Sequence, residues 1–145
     1  VFVSGANMTP AGLSLGFRIL GRETRVSGIA PILWDEDRKV DIARIANATA
    51  KLLQCDLELS PSDILSSDEY IGDRYGVLTP EGRDALKLVA ETEGIFLDPV
   101  YTSKAMAGMI DQIRKGIIRK NETVVFIHTG GLPALFAYAE DLMLS

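Results

Sequence analysis

The sequence predicts an α/β fold, a three-layer αβα arrangement around a mostly parallel, twisted sheet. Three observations lead there. Short apolar or β-branched runs alternate with helical patterns along the chain. Glycines and hydroxyls cluster in three turns, Gly5–Thr9, Tyr101–Thr102 and Thr129–Gly131. Each of these turns follows a strand-like run and opens a helix. In a parallel sheet all three lie at the carboxyl edge of the strands, where open α/β sheets bind ligands. They are therefore expected to converge on one ligand.

Composition narrows the possible functions. The 145 residues suffice for one modest domain with a real core. The formal net charge of −5 argues against a nucleic-acid face. No apolar run reaches bilayer length, no basic amphipathic stripe suits a membrane surface, and nothing at the start reads as a signal peptide. The single cysteine, Cys55, allows no intramolecular disulfide and fits a reducing, cytoplasmic setting. One histidine, His128, leaves no cluster for a zinc site, so no metal is expected.

Val1–Val3 already reads as the middle of a strand, as if the chain began inside a fold. Thr9 suits an N-cap and Pro10 the first helical position, with Gly21 closing that helix. The Gly5–Thr9 loop fits an anion at a helix N-terminus, and equally a plain strand-to-helix connection. Thr24–Ile29 alternates as a second strand. Trp34 reads as a packing residue and Asp35–Lys39 as a solvated helix start. Ile42, Ile45, Ala46, Thr49, Leu52 and Leu53 form one helical face up to Cys55, an inert buried thiol. Leu57–Tyr70 reads as irregular, and Ile71–Leu78 as a glycine-flanked turn around Tyr75. That tyrosine could project into a cleft or cap the core. Thr79-Pro80-Glu81 opens a helix that turns Ala85, Leu88, Val89 and Thr92 inward and stops at Gly94. Ile95–Leu97 reads as a buried strand broken by Asp98-Pro99. The following helix buries Ala105, Met106, Met109, Ile110 and Ile113 and ends at Gly116. Thr123–Ile127 suits a strand buried on both faces. Leu132-Pro133 opens a last helix, and His128 reads as a structural histidine.

The segment Asp98-Pro99-Val100-Tyr101-Thr102-Ser103-Lys104-Ala105-Met106-Ala107-Gly108-Met109 carries a resemblance. With Arg74-Tyr75-Gly76 upstream and His128-Thr129-Gly130-Gly131 downstream, it resembles the D-cysteine desulfhydrase and 1-aminocyclopropane-1-carboxylate deaminase family. These are fold type II enzymes that use pyridoxal 5′-phosphate, related to the tryptophan synthase β subunit. The resemblance runs over the whole chain and matches the C-terminal part of such an enzyme. It implies that 1–145 is that part of the cofactor-binding fold, with the Schiff-base lysine in an N-terminal part outside it.

Carried onto this sequence, the resemblance makes Gly5, Ala6, Asn7, Met8 and Thr9 the cofactor's phosphate cradle. Ala6, Asn7 and Met8 stand where the family is richer in Gly and Ser, and Pro10 where Gln is common. Tyr75 and Tyr101 match the tyrosines on the substrate side. Thr102 matches the position facing the pyridine nitrogen, and Thr129 the residue beside the ring. The deaminases carry Glu and Leu at the last two positions, so small hydroxyls there resemble the desulfhydrase branch. A neutral partner at the ring nitrogen implies a milder electron sink than a carboxylate gives.

The implied activity is elimination from D-cysteine, releasing sulfide, pyruvate and ammonia, with Tyr101 or Tyr75 moving a proton or orienting the substrate carboxylate. Another reading within the group is a 1-aminocyclopropane-1-carboxylate deaminase or other D-amino-acid ammonia-lyase. A reading from a different class is a non-catalytic α/β domain that binds a phosphorylated ligand. The resemblance also implies a homodimer, a small amino-acid substrate, and a chain that is inactive without its N-terminal part. Lys104 reads as a solvated or ion-paired structural lysine, not as the cofactor's anchor.

Overall fold

The computed structural model describes residues 1–143. Four parallel strands form one sheet in the order β3-β2-β1-β4: β1 is Phe2–Ser4, β2 Ser27–Ile29, β3 Leu65–Ser67 and β4 Phe126–Ile127. The register sets Val3 beside Gly28 and Ile127, and Phe2 beside Ser27 and Phe126. Alternation along a strand sends these two sets to opposite faces.

One face carries α1 (Met8–Ile19) and α2 (Arg38–Leu52). They share a core of Ala11, Leu15, Ile42, Ala43, Ala46 and Ala50, closed by Leu59 and Ile64. The helices sit close to the sheet because Gly28 has no side chain; a Cβ there would stand 2.8 Å from Pro10 Cγ. The other face carries α4 (Thr102–Arg114), whose Ala105 packs with Phe2 and Ile29. Outside α4 lies α3 (Pro80–Glu93), joined to it through Ala85, Leu86, Val89, Leu97, Met106 and Ala107. The result is the three-layer αβα fold.

The structure departs from the sequence reading in several places. Helix α1 starts two residues earlier than expected, with Asn7, not Thr9, at the N-cap. β2 is confined to Ser27–Ile29, since Thr24 and Arg25 find no ladder partner. The segment read as irregular holds a turn of 3-10 helix at Pro61–Asp63 and the edge strand β3. Only three residues pair there, and two are serines, so no apolar run marks the strand. Ile95–Leu97 is not part of the sheet: Ile95 and Phe96 are exposed and Leu97 alone is buried. In Thr123–Ile127 only the last two residues pair, and Val125 is exposed.

Side chains differ too. On α3, Leu86 is buried while Leu88 and Thr92 face outward, because α4 meets the face carrying Ala85, Leu86 and Val89. On α4, Ile113 is exposed beyond the end of that contact. Trp34 is half exposed, not packed. Cys55 is half buried against the α1–α2 core. The last helix is two short ones, α5 (Ala134–Ala137) and α6 (Ala139–Met143). Lys104 is neither solvated nor ion-paired. It is wholly buried, its Nζ donates to the Ile71 carbonyl at 2.5 Å, and burial lowers its pKa against the opposing pull of Asp98.

Asp98 explains where α4 begins. Its carboxylate is fully buried, and its Oδ2 accepts from the N–H groups of Val100 and Tyr101, each at 2.8 Å. Its Oδ1 accepts from Thr102 N and Thr102 Oγ1, each at 2.7 Å. The same Thr102 Oγ1 accepts from Asp98 N at 2.7 Å. The turn is thus closed in both directions, and the N–H groups of Tyr101, Thr102 and Ser103 at the start of α4 all find acceptors on Asp98. Asp98→Ala should lower unfolding free energy by about 3 kcal/mol or more, since buried donors lose their acceptor. Asp98→Asn should be nearly as harmful, roughly 2 kcal/mol, because the amide nitrogen must face N–H donors whichever way it flips. Urea unfolding with an unchanged slope measures both; an Asn variant as stable as the parent would contradict this account.

Candidate functional site

The carboxyl ends of the strands carry an open cleft of about 400 Å³. Ser4, Gly5, Ala6 and Thr9 line it from the β1–α1 turn, and Pro31 and Ile32 from beyond β2. Tyr75, Tyr101 and Thr129–Gly131 complete it. The three turns singled out in the sequence therefore meet at one rim. Two of the expected residues do not reach it with their side chains. Met8 points to solvent. Asn7 is buried, with its amide turned to Arg38 and Asp41 on α2.

Thr102 is also off the cleft. It is wholly buried, and its hydroxyl is held by Asp98 in both directions. The expectation that it faces a ring nitrogen overlooked this local competition. A threonine four residues after an aspartate at a helix start closes the turn before it can serve a ligand.

The β1–α1 turn is built for an anion. Helix α1 has no side-chain cap, and the N–H groups of Ala6, Asn7, Met8 and Thr9 bond to no acceptor among the described residues. A helix N-terminus left open in this way attracts negative charge. Ser4 adds a second sign: its Oγ is buried without a hydrogen-bond partner at the same rim. A buried hydroxyl without a partner is costly, and an anion oxygen would satisfy it. The cleft volume, the open N–H groups and the orphaned hydroxyl all fit a small phosphorylated ring such as pyridoxal phosphate.

Across the cleft stand two phenols. Tyr75 and Tyr101 share a hydrogen bond between their hydroxyls, with ring centroids 6.0 Å apart and an edge-on angle of 65°. Both rings are partly exposed to the cleft, Tyr75 by 47% and Tyr101 by 37%. The Tyr75 hydroxyl, then desolvation, pushes the Tyr101 pKa up to about 12. Tyr75 sits on a turn held at both ends: Lys104 Nζ binds the Ile71 carbonyl, and the Tyr138 hydroxyl donates to the Gly76 carbonyl.

The last turn is fitted against Asp98. Gly131 has φ +92°, and a Cβ there would lie 2.6 Å from Asp98 Cγ. Only glycine allows this approach. His128 holds the other side, with Nε2 donating to the Phe96 carbonyl at 2.8 Å and Nδ1 accepting from Gly130 N at 3.1 Å. Its role here is structural.

Sequence reasoning missed Ser4, Arg38, Asp41 and Tyr138. Arg38 was hidden in a charge run read as solvated. A signal existed, since Arg38 lies four residues before Ile42 and so on the helix's inward face. Burial lowers the Arg38 pKa, with Asp68 and Asp41 acting against it. Nothing local marks Tyr138, whose partner lies far away along the chain.

The described residues contain no group of three or more His, Cys, Asp or Glu that could hold a metal, and no helix long and apolar enough to cross a membrane. The fold superposes on a crystal structure described as an ACC deaminase homologue, with a TM-score of 0.84 and 37% sequence identity. The match covers 98% of this chain and 42% of that one, so this chain spans about two fifths of that protein's length. A family model described as pyridoxal-phosphate dependent enzyme matches residues 1–130, nearly the whole chain, and the chain belongs to that family.

Proposed function

We propose that this chain forms the phosphate-side and substrate-side walls of a pyridoxal-phosphate-dependent lyase. Its reaction is elimination from D-cysteine, releasing sulfide, pyruvate and ammonia. The observation that carries the reading is the single cleft on which an uncapped helix N-terminus, a pair of bonded phenols and the Thr129 turn converge. Family membership and the likeness to an ACC deaminase homologue support it. Deamination of 1-aminocyclopropane-1-carboxylate is a second reading, favoured by that same likeness.

Pyridoxal phosphate, when bound, supplies an electron sink for charge developing at the substrate's α-carbon. The chain's own residues bind and orient. The N–H groups of residues 6–9 would hold the dianionic phosphate, with Ser4 Oγ as a further donor. Two hydroxyls that share one hydrogen bond keep one proton uncommitted, so the Tyr75–Tyr101 pair can donate to a substrate carboxylate or a departing sulfur. The Tyr75 hydroxyl and desolvation raise the Tyr101 pKa, which makes Tyr101 a poorer base. None of the cleft's lining residues is a lysine, and Lys104 is committed to Ile71. The lysine that anchors the cofactor would therefore come from outside these residues. A homodimer and a cytoplasmic setting belong to the same proposal.

Sulfide release from D-cysteine should exceed ammonia release from the cyclopropane substrate in the protein that also carries the anchoring lysine. The reverse order selects the deaminase reading, and no turnover of either, with no visible absorbance on adding cofactor, leaves only a non-catalytic phospholigand domain. The isolated chain should show no turnover at all. In the complete protein, Tyr101→Phe and Tyr75→Phe should each lower kcat/KM by roughly a hundredfold or more, with circular dichroism unchanged.

A pH titration offers an independent check. Because the folded Tyr101 pKa lies near 12, above the ordinary value of 10.0, the phenol's stabilising contribution is intact below pH 10 and is lost as pH climbs through 12. Absorbance at the tyrosinate band should therefore rise later in the native chain than in the unfolded one. In Tyr75→Phe the part of that delay that belongs to Tyr101 should move toward lower pH, while Tyr70, buried and bonded to Asp111, still titrates late.

A further inference from the structure

The loop between β1 and α1 lacks a cap of its own, yet a buried guanidinium is committed to it. Arg38, on the first turn of α2, is 9% exposed. Its Nη1 donates to the Ala6 carbonyl at 3.2 Å and to Asn7 Oδ1 at 3.1 Å. Its Nη2 donates to the Ile32 carbonyl at 2.5 Å. The Asn7 amide in turn donates to Asp41 Oδ2, and Arg44 holds the other oxygen of that buried carboxylate. The fork of Arg38 thus ties the loops after β1 and β2 to one helix.

This grip has a geometric consequence. In a trans peptide the C=O and the following N–H point in opposite directions. Fixing the Ala6 carbonyl toward α2 turns the Asn7 N–H away from α2. The two bonds to the Asn7 side chain hold the next residue in the same sense.

We propose that Arg38, Asn7 and Asp41 are positioning residues that lock the 5–9 loop with its N–H groups open to the cleft, and so set the site's affinity for a phosphate-bearing cofactor. Arg38 acts through its planar fork and not as a counter-charge for the anion. The proposal deepens the function reading given above and rests on it. Lysine would keep the charge at position 38 but cannot span three acceptors in fixed geometry.

Calorimetric titration of the full-length protein with pyridoxal phosphate, and with pyridoxal as the phosphate-free probe, tests this. Arg38→Lys and Arg38→Met should each weaken pyridoxal phosphate binding about tenfold or more, and leave pyridoxal binding unchanged. Asn7→Ala should weaken it several-fold, and the Arg38→Met/Asn7→Ala double variant should bind no worse than Arg38→Met alone, since both cut one tether. Thermal melts show which variants fold; if those at Arg38 do not, Asn7→Ala, which removes only a side-chain tie, decides. Parent-like phosphate affinity in Arg38→Lys, or equal losses for pyridoxal, would overturn the proposal while the cofactor reading stands. A parent protein that binds pyridoxal phosphate no better than pyridoxal would overturn both.

Discussion

The arrangement of the site depends on one buried carboxylate. Asp98 lies where the chain leaves Leu97 and enters α4, and it gathers the donors of Val100, Tyr101 and Thr102. A lone carboxylate in the interior would cost several kcal/mol in lost hydration. Four short hydrogen bonds replace that hydration, so burial and bonding require each other. The Tyr101 ring leaves the turn in the direction these bonds impose. Gly131 presses on the same carboxyl group from the final turn, which fixes the distance between two walls of the cleft.

The remaining wall is held by longer ties. Lys104 projects from α4 through the core to the Ile71 carbonyl, and Tyr138 reaches the Gly76 carbonyl from the α5–α6 junction. Between those anchors lies Tyr75, half exposed and bonded to Tyr101. A loop that is pinned at both ends can present an exposed phenol at a defined place without burying it. On the opposite side Arg38 and Asp41 do the same for the open helix N-terminus. The Tyr75 and Gly5–Thr9 walls are thus loops tied by buried charged side chains from neighbouring helices, while the strands supply only the platform.

Much of this was legible in the sequence. Turn chemistry located the helix ends at Gly21, Gly94 and Gly116, all with positive φ, and the Thr79-Pro80 start of α3. The alternation of runs and helices gave the layer order, and that order placed Gly5–Thr9, Tyr101 and Thr129 at one rim. What was hidden depends on long-range pairing. Ile95–Leu97 has the composition of a strand, but no neighbouring strand offers it a ladder, and two of its side chains are exposed. Leu65–Ser67 has poor strand composition, but β2 lies beside it. For short strands the neighbour decides and propensity does not. Charged residues misled in the same way. Arg38 read as solvated and Lys104 as solvated or ion-paired, because a sequence does not show the carbonyls that compensate their burial.

Thr102 shows how such a local bond constrains the chemistry. A threonine hydroxyl has one proton and two lone pairs. Here the proton goes to Asp98 Oδ1 and one lone pair accepts from Asp98 N. Only acceptor capacity remains, and the group is buried. In this state it cannot donate to a neutral pyridine nitrogen, and it lies off the cleft. A neutral side chain at position 102 therefore does not by itself imply a weak electron sink, because its hydrogen-bonding sense is set by Asp98. The proposed choice between a desulfhydrase and a deaminase consequently leans on the residues that do line the cleft, Thr129 above all, where the resemblance implies a leucine in the deaminases.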